Sequence, residues 1–194
     1  MVRSTTVGAM AALMTAALGV AAVPAQAAPA AASQVAACPT GWGSLDKAFT
    51  ASTAQSVRDV RTGRHDCYDR MVVDVPGASA DGLGFSVGYV DQIHQDGSGH
   101  PVPVGGGAVL EVRVHAPAYD PETGEATYPG ASSGQPLPGV DLTGYGTFRD
   151  ARFVGSFEGD TQIGLGVRAR LPFRVLRLAD HLVIDVAHSW GSTR

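Results

Sequence analysis

Lysine is almost missing from this 194-residue chain: Lys47 stands alone among 14 basic residues, and the rest are arginine. Acids outnumber bases 18 to 14, giving a formal charge of −4. No basic stripe is available to follow a polyanionic backbone, so nucleic acid is excluded as a partner. Cysteine is scarce as well, with only Cys38 and Cys67. Zinc sites built on cysteine pairs are excluded with it, and no His-Glu-x-x-His helix is present. Aromatics make up 7% of the chain, and helical periodicity is nearly absent.

Only one long apolar run occurs, and it is N-terminal. Arg3 supplies a short positive region, Val7 to Val23 is rich in Ala, Leu and Met, and Pro24-Ala25-Gln26-Ala27 offers small residues where a signal peptidase reads. The expectation is a signal peptide over 1–27, cleaved after Ala27, with a membrane anchor as the alternative. Loss of Arg3 makes the mature chain one unit more acidic. No later stretch is apolar and long enough to span a bilayer, so the mature chain has no membrane span. The Ala/Pro-rich residues 28–37 read as a flexible leader, and the domain is expected over 38–190. In an oxidising compartment the two cysteines predict one disulfide, Cys38–Cys67. The alternative treats Val35-Ala36-Ala37-Cys38 as a lipobox that makes Cys38 a lipidated N-terminus.

From Val57 onward the pattern is β. Met71, Val73 and Val75 alternate with Arg70, Val72 and Asp74 until Pro76-Gly77 stops the strand. Leu110, Val112 and Val114 alternate with Glu111, Arg113 and His115. Further strands are expected at 56–61, 85–89, 148–157, 162–167, 173–178 and 182–186, with a tight turn at Asp96-Gly97-Ser98-Gly99. Phe153 and Phe157 are expected on one face, and Gly164 and Gly166 on another, where a close neighbour needs room. Trp42, Leu45 and Phe49 suit a short helical turn or a capping loop. Residues 117–139 lack any hydrophobic period and read as a long exposed loop, functional or mobile. About eight short strands predict an all-β antiparallel sandwich, with an open barrel as the alternative.

The densest chemistry is Arg61 to Asp74, where acids and arginines interleave at the head of a strand. His65, Asp66 and Asp69 could supply metal ligands, but arginines in equal number favour ion pairs of Asp66 and Asp69 with Arg61, Arg64 and Arg70. No metal or cofactor is therefore expected. Glu158, between Phe157 and Gly159, is expected near a strand end, buried and paired with Arg70, Arg168 or Arg170.

Several segments together resemble the AMIN-like domain: Gly63-Arg64-His65-Asp66-Cys67-Tyr68-Asp69-Arg70-Met71-Val72-Val73-Asp74, Val87-Gly88-Tyr89-Val90, Asp96-Gly97-Ser98-Gly99, Gly155-Ser156-Phe157-Glu158-Gly159, Gly164-Leu165-Gly166-Val167-Arg168 and Leu182-Val183-Ile184-Asp185-Val186. That family occurs in exported bacterial proteins and lipoproteins. Its name marks a likeness to a β-sandwich module that localises cell-wall amidases. The resemblance implies a sandwich and an envelope-binding role, and it supplies no catalytic residues. The expected function is a secreted, non-catalytic, envelope-associated module that binds a wall glycan or peptidoglycan. Arg64, His65, Asp69, Arg70 and Glu158 are its candidate ligand-binding residues. Two other classes are carried beside it. One is a hydrolase or lyase using His65 with Asp69 or Glu158; the other is a protein-interaction module using the 117–139 loop.

Overall fold

The computed structural model describes Cys38 and residues 41–191. The expected signal peptide and leader lie outside the described residues. Eleven strands form three antiparallel sheets. In the larger, β1 (Lys47–Phe49), β4 (Phe85–Val90), β7 (Ala108–Val114), β9 (Asp160–Val167) and β8 (Phe148–Phe157) pair in that order. In the second, β10 (Phe173–Leu178), β11 (His181–Ala187), β3 (Tyr68–Asp74) and β2 (Asp59–Arg64) pair in that order. The hairpin of β5 (Ile93–His94) and β6 (Pro101–Val102) is separate. No pairing joins one sheet to another among the described residues, so the fold is an open sandwich and not a barrel. The strands expected from the sequence are all present. The additions are short ones, β1, β5 and β6, too brief for a period of two to register.

Strand alternation builds the core. Leu110, Val112 and Val114 from β7 meet Met71 and Val73 from β3 and Leu182, Ile184 and Val186 from β11, all fully buried. Burying a side chain of this size contributes about 1.5–3 kcal/mol. The β5–β6 hairpin lies over the outer face of the larger sheet, where Ile93 and Val102 pack with Val154. The paired glycines of β9 make room for it, as their spacing predicted. A Cβ on Gly164 would stand 2.7 Å from Val104 Cγ2, and one on Gly166 would collide with the Gly105 carbonyl.

Three expectations need correction. Phe157 is exposed and does not share a buried face with Phe153, because a register shift between Phe153 and Gly155 changes the phase of β8. Of the two readings of Trp42 to Phe49 the helical turn is absent: 41–46 is an irregular loop that bends at Ser44 and Leu45, and Leu45 projects into solvent. The 117–139 segment is not a wholly exposed loop. Tyr128 and Leu137 are buried in the core, Thr127 Oγ1 donates to Val57 O at 2.8 Å, and Leu137 N donates to Ala151 O at 2.9 Å. These isolated anchors have no period, yet they seal the outer edge of β8.

Candidate functional site

The outer face of the four-stranded sheet carries the candidate site. Register brings Arg174 of β10, Asp185 of β11 and Arg70 of β3 into one cross-strand row. Asp185 is 0% exposed, and both guanidiniums converge on it. Arg70 Nε and Nη2 donate to its two oxygens at 2.6 and 2.9 Å, and Arg174 Nε donates to Oδ2 at 2.8 Å. The carboxylate of Asp185 pushes the Arg70 pKa up, chiefly through these hydrogen bonds and against the effect of burial. The arginine side chains remain 27% and 32% exposed, so the row is accessible.

Aromatic rings stand at one end of this row. Tyr68 begins β3 on the same face as Arg70, two residues on. Trp42 meets it edge-on with centroids 5.6 Å apart, and His65 stacks on it at 4.5 Å. The Arg174 guanidinium lies 4.4 Å from the Trp42 ring centre, and the Arg70 guanidinium 5.3 Å from that of Tyr68. Two links hold Trp42 there. The expected disulfide Cys38–Cys67 forms, with Cα atoms 5.2 Å apart, and fastens the segment before Trp42 to the residue before Tyr68. Gly43 O accepts the Phe173 N–H at 2.9 Å, docking the same segment on β10. With its sulfur in the disulfide, Cys38 has no thiol for the lipobox alternative.

Of the residues singled out from the sequence, His65 and Arg70 are brought together here. Arg64 lies opposite Asp69 in the β2–β3 register, so its exposed side chain leaves on the other face from Arg70 and donates to Gly144 O at 3.4 Å. Asp69 is not part of the surface. Adjacent strand residues point to opposite faces, so Asp69 goes inward where Arg70 goes outward. There it is fully buried, accepting from Thr147 N at 2.5 Å and Phe148 N at 3.0 Å, with His188 Nε2 at 3.0 Å. The expected pairs of Asp66 and Asp69 with arginine are therefore replaced: Arg61 pairs with Asp74, and Arg70 with Asp185. His65 and Asp69 lie on opposite faces and form no catalytic dyad.

Glu158 is exposed on the larger sheet, not buried and paired with an arginine. Phe157 and Asp160 pair directly, so Glu158 and Gly159 are the two central residues of a hairpin turn. Both have positive φ, 49° and 88°. That geometry turns the glutamate outward. It edges a shallow hollow of about 320 Å³ with Asp96, Gly97 and Arg113. Arg113 there answers Asp96, Glu111 and Asp160, and His115 Nδ1 lies 2.9 Å from Asp160. One arginine is shared by three carboxylates, so this second cluster is acidic on balance.

Trp42, Tyr68, Arg174 and Asp185 escaped the sequence reading. Asp185 and Arg174 follow from alternation in β10 and β11, but only the pairing order sets them beside Arg70. Three nucleophile-like patterns occur in the chain: Gly84-Phe85-Ser86-Val87-Gly88, Gly130-Ala131-Ser132-Ser133-Gly134 and Ser44-Leu45-Asp46-Lys47. None has the context that gives such patterns chemistry, which for the first two is a strand–turn–helix elbow. Ser86 is mid-strand between Ala48 and Arg113, and Ser132, the central serine of the second pattern, is exposed in the loop before β8, where its carbonyl accepts from Gln135 N at 3.0 Å and no helix follows. Lys47 extends over the Phe173 ring, 4.0 Å from its centre.

A family model of the AMIN-like domain matches residues 55–188. The chain belongs to the AMIN-like domain family. No curated protein and no solved structure matches it. The matched span of this AMIN-like domain covers β2 to β11, which is the whole four-stranded sheet and all of the larger one except β1, whereas Trp42 and Cys38 precede it. Membership suggests a cell-envelope-associated module of a generally non-catalytic kind. Among the described residues, no helix is long and apolar enough to cross a membrane.

Proposed function

We propose that this AMIN-like domain is a secreted, non-catalytic module that binds a cell-wall component, peptidoglycan or another wall glycan, on the outer face of the four-stranded sheet. The observation that carries the reading is the pair Arg70 and Arg174, joined through buried Asp185 and laid against Tyr68 and Trp42. Half-exposed aromatic rings accept the apolar face of a sugar, and guanidiniums donate to its oxygens. The side chains are held before any ligand arrives, by the disulfide on one side and by sheet register on the other. That preorganisation lowers the ordering cost of binding. His65, stacked on Tyr68, borders the same surface and extends it.

The test is co-sedimentation of the purified chain with insoluble wall sacculi. The native chain is retained, and a Trp42→Ala, Arg174→Gln double variant of unchanged circular dichroism is released. Equal retention of the two, or no retention of the native chain, overturns the reading.

A further inference from the structure

We infer that the ligand presents a carboxylate beside its sugar ring, and that this group docks between Arg70 and Arg174 on the edge of the row facing away from Asp185. The inference rests on the wall-binding reading and narrows it to one class of ligand, an acidic saccharide.

The donor count points there. Asp185 engages Arg70 Nε, Arg70 Nη2 and Arg174 Nε. Arg70 Nη2 also reaches the Tyr68 hydroxyl at 3.4 Å. No acceptor meets Arg70 Nη1, Arg174 Nη1 or Arg174 Nη2 among the described residues. Two cations against one anion leave a single positive charge, held on side chains that are 27% and 32% exposed. The stacking of Arg174 on Trp42 fixes the guanidinium plane without consuming an N–H. The surface therefore offers in-plane donors, one unit of uncompensated charge and aromatic flanks. A neutral sugar uses the rings and leaves the charge unanswered. A phosphate monoester, doubly charged, exceeds it beside a buried carboxylate, and a phosphodiester carries one charge but on a tetrahedral group instead of a planar one. A single carboxylate matches both the charge and the planar fork, as Asp185 already does from the other side.

The experiment is calorimetry on the purified chain with five soluble ligands. Two carry a carboxylate: the N-acetylglucosamine–N-acetylmuramic acid disaccharide with its lactyl carboxylate free, and digalacturonic acid. Two are neutral: the methyl ester of that muramyl disaccharide, and chitobiose. The fifth is a short glycerol-phosphate oligomer. The carboxylates are expected to bind roughly ten-fold or more tighter than the neutral sugars, as charge-assisted hydrogen bonds require. Arg174→Gln removes that ratio, and Arg174→Lys restores part of it, since charge returns without the fork. A tighter fit to the muramyl or to the galacturonic acid tells which source of the carboxylate is favoured. Equal affinity for acid and ester overturns the inference, as does a ratio that survives Arg174→Gln or a phosphate oligomer that binds as tightly. Sacculus retention separates the two failures. Retention without a carboxylate preference removes this inference alone, whereas loss of retention removes the wall-binding reading beneath it.

Discussion

His188 Nε2 stands 3.0 Å from Asp69 Oδ1 although 119 residues separate them. The second oxygen of Asp69 takes the N–H groups of Thr147 and Phe148. One buried carboxylate thus ties the head of β3 to the entry of β8 and to the segment after β11. Asp69→Ala leaves two buried backbone donors and a histidine without an acceptor, at a cost of about 3–5 kcal/mol. His188→Ala removes a partly exposed partner and costs about 1 kcal/mol. Urea midpoints at equal m-values check the ordering, and an Asp69→Ala loss no greater than that of His188→Ala contradicts the assignment.

Gly166 and Gly164 make a second test of packing. The obstacle at Gly166 is the Gly105 backbone carbonyl, which has no rotamer to move, whereas at Gly164 it is the Val104 and Ile93 side chains. Gly164→Ala is expected to cost about 1–3 kcal/mol through overpacking, and Gly166→Ala more. Limited proteolysis within 95–99 reports the expected lifting of the β5–β6 hairpin, and the reverse order of the two variants speaks against backbone contact.

The main strands were legible because their faces differ so strongly: Leu110, Val112 and Val114 are fully buried while Glu111 and Arg113 stay partly exposed. The glycine pair of β9 was legible because missing side chains on a buried face leave space that must be filled. The candidate site was not legible. Its central acid, Asp185, sits 115 residues from Arg70, and no local pattern announces a partner so distant. Asp69 misled for a related reason. Charge content alone invited a pairing with Arg70, although alternation, applied one residue earlier, sends the two to opposite faces. Glu158 was misread because burial was inferred from Phe157, whose own phase is changed by a β-bulge.

Glu158 occupies a left-handed conformation, with φ at 49°, that glutamate tolerates poorly and asparagine well. Since the side chain is exposed, no contact is lost on replacement. Glu158→Asn is therefore expected to raise stability by about 0.5–1 kcal/mol, with Glu158→Gly similar or smaller because glycine loses more freedom on folding. Thermal melts resolve the difference, and a destabilised Glu158→Asn contradicts the outward orientation.

Tyr128 supplies a pH signature. Burial, aided by the negative charge of Asp59, pushes its phenol up to about 12 from the usual 10. Its hydroxyl donates to Pro138 O at 3.2 Å. The folded state holds this proton after the unfolded state has released it. Stability from Tyr128 is thus complete below about pH 10 and is lost as pH climbs toward 12. Urea midpoints between about pH 9 and pH 11 should fall for the native chain and fall less for Tyr128→Phe. Parallel slopes for the two contradict the assignment.

Asp185 allows the candidate site to be dissected without a ligand. Arg70 grips both carboxylate oxygens and Arg174 only one, so the two cations are unequal partners of the same acid. Asp185→Ala strands two like charges side by side, but each is about one-third exposed and can swing toward water. Its cost is held to about 2–3 kcal/mol. Arg70→Ala leaves a buried acid with a single hydrogen bond and is expected to cost nearly as much. Arg174→Ala leaves the bidentate pair intact and should cost about 1 kcal/mol or less. That asymmetry is what frees Arg174 to serve a ligand: the sheet needs Arg70 to neutralise Asp185, whereas Arg174 is the surplus cation. Three denaturation curves decide the point, and an Arg174→Ala loss equal to that of Arg70→Ala makes both arginines part of the scaffold.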